Sequence, residues 1–124
     1  RGRFSAPSPG YKEQVFFHNM NTDSDGYVRA AIVNEKFAGR SGLGVYVKYP
    51  KSELHRFIEW KMMGEGTYVV GMEPSNCLVQ GRVKERERGT LQFIKPGERR
   101  EFHLELGVLS GCEQIEQFES QVQS

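Results

Sequence analysis

The fold is predicted most directly by residues 59–76, which read Glu59-Trp60-Lys61-Met62-Met63-Gly64-Glu65-Gly66-Thr67-Tyr68-Val69-Val70-Gly71-Met72-Glu73-Pro74-Ser75-Asn76. From Tyr68 onward the residues alternate as in a β-strand, whose side chains point to opposite faces in turn. The central Gly64-Glu65-Gly66 is typical of a turn, which would join this strand to a preceding one at 58–63. The stretch therefore predicts a β-hairpin that carries one acid, Glu73, near its end.

The surroundings of Glu73 suggest a role for its carboxylate. On the predicted strand Gly71 and Glu73 share a face, and the missing side chain of Gly71 leaves open space beside the acid. Pro74 cannot donate a ladder hydrogen bond, so regular pairing is expected to stop just after Glu73. A carboxylate in this setting fits a general base that faces a ligand. The spacing alone favours the simpler alternative, a rim glutamate ahead of a turn.

The rest of the chain predicts an all-β fold. Short apolar or alternating runs separated by turn residues are typical of antiparallel sheets with one solvated face. Further strands are expected at 13–18, 27–34, 43–49, 91–94 and 101–109. In the last of these, alternation places Leu106 and Val108 on one face and His103 on the other. Pro96 and Gly97, at the centre of the 95–98 connection, suit a type II turn.

The end of the chain changes from strand to helix periodicity. Ile115, Phe118 and Val122 recur at i, i+3 and i+7, the spacing of one helix face. Ser110 followed by Glu113 matches a capping box. A short C-terminal helix that covers a sheet edge is therefore expected.

Composition limits the possible functions. The 124 residues suit one domain or part of a larger one, and 37% are hydrophobic with a mean hydropathy of −0.59. A net charge of +1 gives no electrostatic reason to expect a nucleic-acid or anionic-membrane partner. Cys77 and Cys112 have no CxxC spacing and are expected to be free thiols in a reducing cytoplasm. Residues 1–10 resemble a linker at the start of a piece of a longer polypeptide, and residues 11–124 form the predicted domain.

The sequence contains no complete motif for a common metal, nucleotide or hydrolase site. Residues 21–26 imitate the start of an EF-hand loop, but position twelve is Ile32 instead of glutamate, so a polar hairpin turn is expected. His18, His55 and His103 lack metal-ligand spacing, which argues against a metal site. The sequence contains no GxSxG elbow, P-loop or dinucleotide fingerprint, so a common hydrolase, NTPase or Rossmann enzyme is not expected.

Three side chains outside the hairpin end are candidates for a pocket. His18 ends a phenylalanine-rich strand and either lines a pocket or is a hydrogen-bonded structural histidine. Trp60 is the sole tryptophan, and is either core or a surface for the apolar face of a sugar. The charged run 82–88 is expected to be a solvated hairpin or loop, but Arg82 closes the loop that starts at Glu73 and is predicted to approach the same site.

Five segments together carry a resemblance to a known superfamily: 13–18 (EQVFFH), 25–26 (DG), 59–64 (EWKMMG), 68–77 (YVVGMEPSNC) and 95–98 (KPGE). They resemble the C-terminal portion of the galactose-mutarotase-like superfamily, and within it a bacterial branch of aldose-1-epimerase-related proteins. The resemblance covers about 9–109, and the Glu-Pro-x-Asn motif at 73–76 is its most specific element.

The resemblance implies an antiparallel β-sandwich, the C-terminal part of a larger sandwich, that binds a sugar over one sheet. It also implies an isomerase without a cofactor, in which a glutamate and a histidine interconvert sugar anomers by opening the ring. The residues expected at this site are Glu73 as general base, Asn76 and Arg82 as hydroxyl-binding groups, and His18, Trp60 and Lys61 as pocket lining.

The chain differs from this family in lacking the histidine that acts as the catalytic acid. The family's paired histidines lie upstream of residue 1, and His18 matches a histidine of the bacterial branch instead of the mutarotase acid. The N-terminal half of the same protein, or another copy, is thus expected as a partner beside the sugar. A non-catalytic carbohydrate-binding or regulatory protein is the alternative. A module with no site of its own is a third possibility, against which the motif at Glu73 argues.

Overall fold

The structure is a computed structural model that describes residues 2–123. The elements in this range are β1 (Gln14–His18), β2 (Tyr27–Asn34), α1 (Phe37–Arg40), β3 (Leu43–Pro50), β4 (Arg56–Gly64), β5 (Thr67–Ser75), α2 (Arg82–Glu87), β6 (Glu105–Ser110) and α3 (Cys112–Gln123). The chain divides into two compact units. The first combines the residues before Met20 with Arg56–Gln92, and the second combines Met20–His55 with the residues from Phe93 onward.

The first unit contains an antiparallel sheet in the order β1-β4-β5. The predicted hairpin is confirmed: Gly64 pairs with Thr67 across a two-residue loop, and Gly66 supplies the positive φ of +79° that this loop requires. The prediction that pairing stops after Glu73 is wrong, because β5 continues to Ser75, which pairs with Arg56. Since β5 is an edge strand, a proline without an N–H is tolerated at position 74.

Residues 2–10 lie along this hairpin, mostly without regular structure. Ser8 forms an isolated parallel bridge with Gly64, and its N–H donates to the carbonyl of Met63 at 3.0 Å. The Tyr68 hydroxyl donates to the carbonyl of Ser5 at 2.6 Å. Met63 is completely buried. The described start of the chain is therefore attached to the β4–β5 end of the sheet.

The second unit contains an antiparallel sheet in the order β2-β3-β6. Val28, Val47 and Tyr49 are fully buried on one of its faces, and burial raises the pKa of Tyr49 to about 12. Helix α3 packs on the other face, where a second cluster forms. The members of that cluster are Leu109, Ile115 and Phe118, with Ala31, Val33 and Tyr46 packed against them.

The polar turn expected at 21–26 is confirmed. The Asp23 carboxylate accepts the N–H groups of Tyr27 (2.8 Å) and Asp25 (3.0 Å) and pairs with Arg29. These bonds, the one from the Tyr27 backbone foremost, hold the pKa of Asp23 below its ordinary value. Its oxygens are occupied by the turn itself, but the predicted hairpin is wrong, because β1 pairs with β4 and β2 pairs with β3.

The prediction for 91–109 is wrong in part. Residues 91–94 and 101–104 form no strand, and the last strand is β6. Leu106 and Val108, expected on a buried face, are 75% and 60% exposed, while Leu109 is 6% exposed. On the edge strand β6, α3 covers the Leu109 side, whereas Leu106 and Val108 on the other side stay exposed. The type II turn at 95–98 is confirmed by Gly97 (φ +76°) and by the N–H of Glu98, which donates to Lys95 at 3.0 Å.

Helix α3 is confirmed with two differences. The N–H of Ser110 donates to the side chain of Gln114 (2.8 Å), so Gln114 takes the part expected of Glu113. Ile115 and Phe118 are buried as expected, whereas Val122 is exposed.

The predicted fold class is confirmed: the chain is all-β, with two antiparallel three-stranded sheets and a short C-terminal helix, consistent with a β-sandwich. Both cysteines, Cys77 and Cys112, are free. Among residues 2–123, no helix has the length and apolar character required to span a bilayer.

Candidate functional site

Glu73 lies on a largely apolar face of the first unit's sheet. Cross-strand partners share a face, and Glu73 is opposite Ile58, which is in turn opposite Phe17. The next row of the same face contains Gly71, Trp60 and Val15. Glu73 is partly buried, and Ile58 is only 2% exposed. The acid thus has apolar neighbours across the sheet. We call this surface the Glu73 face.

The space beside Glu73 is occupied by its own carboxylate. A Cβ added at Gly71 would lie 2.5 Å from Glu73 Oε1, so the carboxylate lies over the bare backbone of Gly71. Within residues 2–123, no hydrogen bond or ion pair of this carboxylate is found. The shared face of Gly71 and Glu73 is confirmed, but the prediction of open space beside the acid is wrong, because the carboxylate itself fills it. Among the described residues, the oxygens of this carboxylate remain free acceptors.

Trp60 belongs to the same surface. It is the residue opposite Gly71, and its side chain is partly exposed. The indole Nε1–H donates to Glu13 Oε2 at 2.8 Å. This bond fixes the ring orientation while Glu13 remains exposed. An indole and an unpaired carboxylate therefore occupy neighbouring positions of one face.

His18 and Lys61 lie on the opposite face, which we call the His18 face. His18 is opposite Phe57, one residue out of phase with Ile58, and donates from Nε2 to Glu59 Oε2 at 2.8 Å. Lys61 donates to the carbonyl of Arg3 at 3.1 Å, and its ammonium lies 5.2 Å from the ring centroid of Phe4. The structure therefore does not bring these two residues to Glu73. His18 is hydrogen-bonded, as the alternative to a pocket residue predicted.

Asn76 and Arg82 lie in the segment that follows β5. Asn76 is partly buried and its Nδ2 approaches Gln92 Oε1 at 3.5 Å, the limit of a hydrogen bond. Arg82 begins helix α2 and is exposed. No hydrogen bond or ion pair joins Arg82 to Glu73. The sequence predicted a solvated hairpin or loop at 82–88, and this is wrong, because the segment forms a helix.

The end of α2 follows from one glycine. The N–H of Thr90 donates to the carbonyl of Glu85 (2.9 Å), and that of Gly89 donates to Arg86 (3.0 Å). With Gly89 at φ +71°, this is a Schellman motif, the usual end of a helix at glycine. A glycine after a run of good helix formers was the sequence signal for α2.

Sequence reasoning missed two acids. Glu59, the partner of His18, is on the same strand as Trp60, and only the strand register shows that it faces His18. Glu85 is 4% exposed, although it lies within an alternating charged run that is typical of a solvated surface. Only the positions of Leu78 and Thr90, which donate to its carboxylate, explain its burial.

A shallow groove in the second unit encloses about 390 Å³. It is lined by Tyr27, Lys48, Phe102, His103, Leu104 and Glu105. Its ionisable groups are already partnered, as three contacts show. Glu105 accepts the Tyr46 hydroxyl at 2.7 Å and lies 3.7 Å from Lys48 Nζ. Lys48 Nζ lies 4.8 Å from the centroid of the Tyr27 ring.

A further contact joins His103 to Glu53. Glu53 accepts the ring Nδ1–H of His103 at 2.8 Å and its backbone N–H at 2.6 Å. The carboxylate raises the pKa of His103, and the two hydrogen bonds, the backbone one foremost, lower that of Glu53. The groove thus contains no unpaired acid comparable to Glu73. Within residues 2–123, no group of three or more His, Cys, Asp or Glu side chains is arranged to hold a metal ion.

A family model described as "Domain of unknown function (DUF4432)" matches residues 2–108. The chain belongs to this family. No curated protein and no solved structure matches the chain. The match to the DUF4432 family covers both the hairpin that carries Glu73 and the segment that follows it.

Proposed function

We propose that the chain is part of a carbohydrate-binding protein of the aldose-1-epimerase type, in which Glu73 is the general base. The observation that carries the proposal is the unpaired Glu73 carboxylate, which lies over Gly71 beside the Trp60 indole. A carboxylate with free acceptor oxygens is able to accept the proton of a sugar hydroxyl. The resemblance of the motif at 73–76 to the galactose-mutarotase-like superfamily is further support.

The proposed reaction opens and recloses a sugar ring. Glu73 takes the proton of the anomeric hydroxyl, an acid gives a proton to the ring oxygen, and the bond between C1 and that oxygen breaks to leave an aldehyde. Rotation about the C1–C2 bond and ring closure on the other carbonyl face give the second anomer. Both protons then return to the groups that supplied them. No electrons are exchanged, so the step requires no redox cofactor.

The proposed site differs from the sequence expectation. Trp60 contacts the apolar face of the sugar, and Asn76 and Arg82 bind its hydroxyls, while His18 and Lys61 are left out because they lie on the other face. The acid is proposed to come from the N-terminal half of the same protein or from another copy. A cytoplasmic location is proposed from the two free cysteines.

A sugar-binding protein without turnover is the second candidate. It is favoured by the position of His18, because an imidazole on the opposite face cannot act as the acid that complements Glu73. A carboxylate and an indole alone suffice to hold a sugar through hydroxyl hydrogen bonds and stacking.

Two measurements on the full-length protein separate the candidates. Polarimetry of freshly dissolved α-D-glucose and α-D-galactose measures turnover, and saturation-transfer NMR with the same sugars measures binding. The enzymatic proposal predicts both a signal in saturation transfer and faster mutarotation. Binding without acceleration would identify the second candidate, and the absence of both effects would contradict the proposed function.

A further inference from the structure

Glu85 is an acid that the proposed chemistry does not use. Its side chain is 4% exposed, and it is the buried charged residue of the described part of the chain. A buried carboxylate is costly unless donors surround it, because the protein must replace the water that it loses. Its burial within a short, otherwise exposed helix therefore requires a structural reason.

The contacts of Glu85 supply that reason. Oε1 accepts the backbone N–H of Leu78 at 3.2 Å and lies 3.7 Å from the Arg88 guanidinium. Oε2 accepts the hydroxyl of Thr90 at 2.8 Å. The backbone carbonyl accepts the N–H groups of Thr90 (2.9 Å) and Leu91 (3.1 Å). One residue thus connects the chain before α2 with the chain after it.

The segment that Glu85 holds is the one that follows the proposed base. Leu78 is five residues beyond Glu73 and two beyond Asn76. Between them, Ser75 Oγ accepts the N–H of Cys77 at 3.2 Å and donates to its carbonyl at 2.9 Å. Hydrogen bonds therefore hold the backbone on both sides of Asn76, at Cys77 through Ser75 and at Leu78 through Glu85. Helix α2, which begins with Arg82, also carries Glu85 itself.

We propose that Glu85 is a positioning residue, which holds Asn76 and Arg82 where they bind the hydroxyls of the sugar. This inference rests on the proposed function. Glu73 is fixed by the β4–β5 ladder and not by the loop, so loss of Glu85 leaves the base in place. Sugar binding then weakens while the chemical step at saturating sugar is preserved.

The test is Glu85→Gln in the full-length protein. The amide carries no charge and presents an NH2 group in place of one oxygen, so the bond to the Thr90 hydroxyl must reverse its direction and the bond from the Leu78 N–H loses its charge assistance. We expect KM for the preferred aldose to rise about tenfold, kcat to stay within about twofold, and amide exchange of Leu78 to accelerate about tenfold. Glu87→Gln is the matched control, because Glu87 is an exposed acid of the same helix that pairs with Lys84. It should change none of the three.

Thr90 provides a milder pair of variants should Glu85→Gln fold poorly. Thr90→Val removes the hydroxyl that donates to Glu85 Oε2, whereas Thr90→Ser keeps it. We expect Thr90→Val to raise KM and Leu78 exchange in the same direction as Glu85→Gln but by a smaller factor. Thr90→Ser should leave both KM and the exchange rate of Leu78 at their wild-type values.

The outcomes distinguish this inference from the proposed function. An active wild type with unchanged KM or unchanged Leu78 exchange in Glu85→Gln would overturn the positioning role alone. A fall in kcat with KM unchanged would also overturn it, because the residue would then act on the base. A wild type that neither binds nor converts a sugar would overturn both, and faster Leu78 exchange in the variant would then identify Glu85 as a purely structural anchor.

Discussion

The two faces of the β1-β4-β5 sheet carry one partly buried glutamate each, in contrasting settings. On the His18 face, Glu59 accepts a hydrogen bond from His18, and the neighbouring Lys61 donates to the backbone of residue 3. On the Glu73 face, the carboxylate covers a glycine and, among the described residues, has no hydrogen bond or ion pair. The same sheet thus presents a paired acid on one side and an unpaired acid on the other.

The difference shows how a sheet separates paired from unpaired groups. Because side chains alternate, neighbouring residues such as Trp60 and Lys61 belong to different surfaces although they are adjacent in sequence. A carboxylate that already accepts a histidine N–H has less capacity to accept a substrate proton than one with free oxygens. We therefore expect variants on the Glu73 face to change activity and variants on the His18 face to leave it unchanged.

A large effect in this comparison is expected from Gly71→Ala. The new Cβ would lie 2.5 Å from Glu73 Oε1, so the carboxylate must leave its position over the strand. We expect the rate of mutarotation to fall about 10- to 100-fold, since a displacement of about 1 Å is enough for such a loss. Urea unfolding should change by less than about 1 kcal/mol, because φ of Gly71 is not positive. Val70→Ala, on the opposite face, should leave the rate within twofold; equal losses would contradict the distinction between faces.

A smaller effect is expected from Trp60→Leu. Leucine keeps an apolar side chain but removes the flat surface on which a sugar stacks, so sugar affinity should fall about tenfold. Lys61→Met is the neighbouring control on the other face and should not change affinity. Isothermal titration with the preferred sugar measures both. If Lys61→Met weakens binding as much as Trp60→Leu, the sugar contacts the His18 face.

The pair of Glu59 and His18 should contribute little to stability and nothing to mutarotation. His18→Ala removes the partner of Glu59, and an exposed pair of this kind is worth about 1 kcal/mol or less. We expect a decrease in the free energy of unfolding of that size and no change in mutarotation. Urea denaturation and polarimetry on the same sample check this. A large loss of activity would place His18 in the reaction.

The smallest effect concerns the paired acid of the second unit, Glu53 with His103. The raised pKa of His103 means that its contribution is present below the ordinary histidine value of 6.5 and is lost as pH rises through the raised value. The lowered pKa of Glu53 means that its contribution is present above 4.5 and is lost as pH falls through the lowered value. The difference in unfolding free energy between wild type and His103→Gln should therefore be greatest between these values. A difference independent of pH would show that the pair is not formed.

Local signals predicted much of the fold, and non-local packing decided the rest. The β4–β5 hairpin and the 95–98 turn depend on adjacent residues such as Gly66 and Gly97, and both are confirmed. The buried face of β6 depends on α3, which packs on Leu109, so the apolar Leu106 and Val108 misled the prediction. The alternation within an edge strand does not record which of its sides the following helix will cover.

The candidate site divides in the same way. The shared face of Gly71 and Glu73 is a matter of alternation within one strand and was predicted correctly, whereas the open space expected there is filled by the carboxylate itself. The separation of His18 from Glu73 depends on the register of β1 against β4, which the sequence does not encode in neighbouring residues. Glu85 was assigned to a solvated run because its donors, Leu78 and Thr90, are brought to it only by the folded loop.

The most direct test of the central claim compares Glu73→Gln with Glu59→Gln in the full-length protein, by polarimetry of fresh α-D-glucose and α-D-galactose. The two variants make the same change on opposite faces of one sheet, and glutamine keeps the shape of the side chain but not its basicity. We expect Glu73→Gln to lower the catalysed rate by about 100-fold or more and Glu59→Gln to leave it within twofold. Equal rates for wild type and Glu73→Gln, or a loss confined to Glu59→Gln, would contradict the assignment of Glu73 as the base.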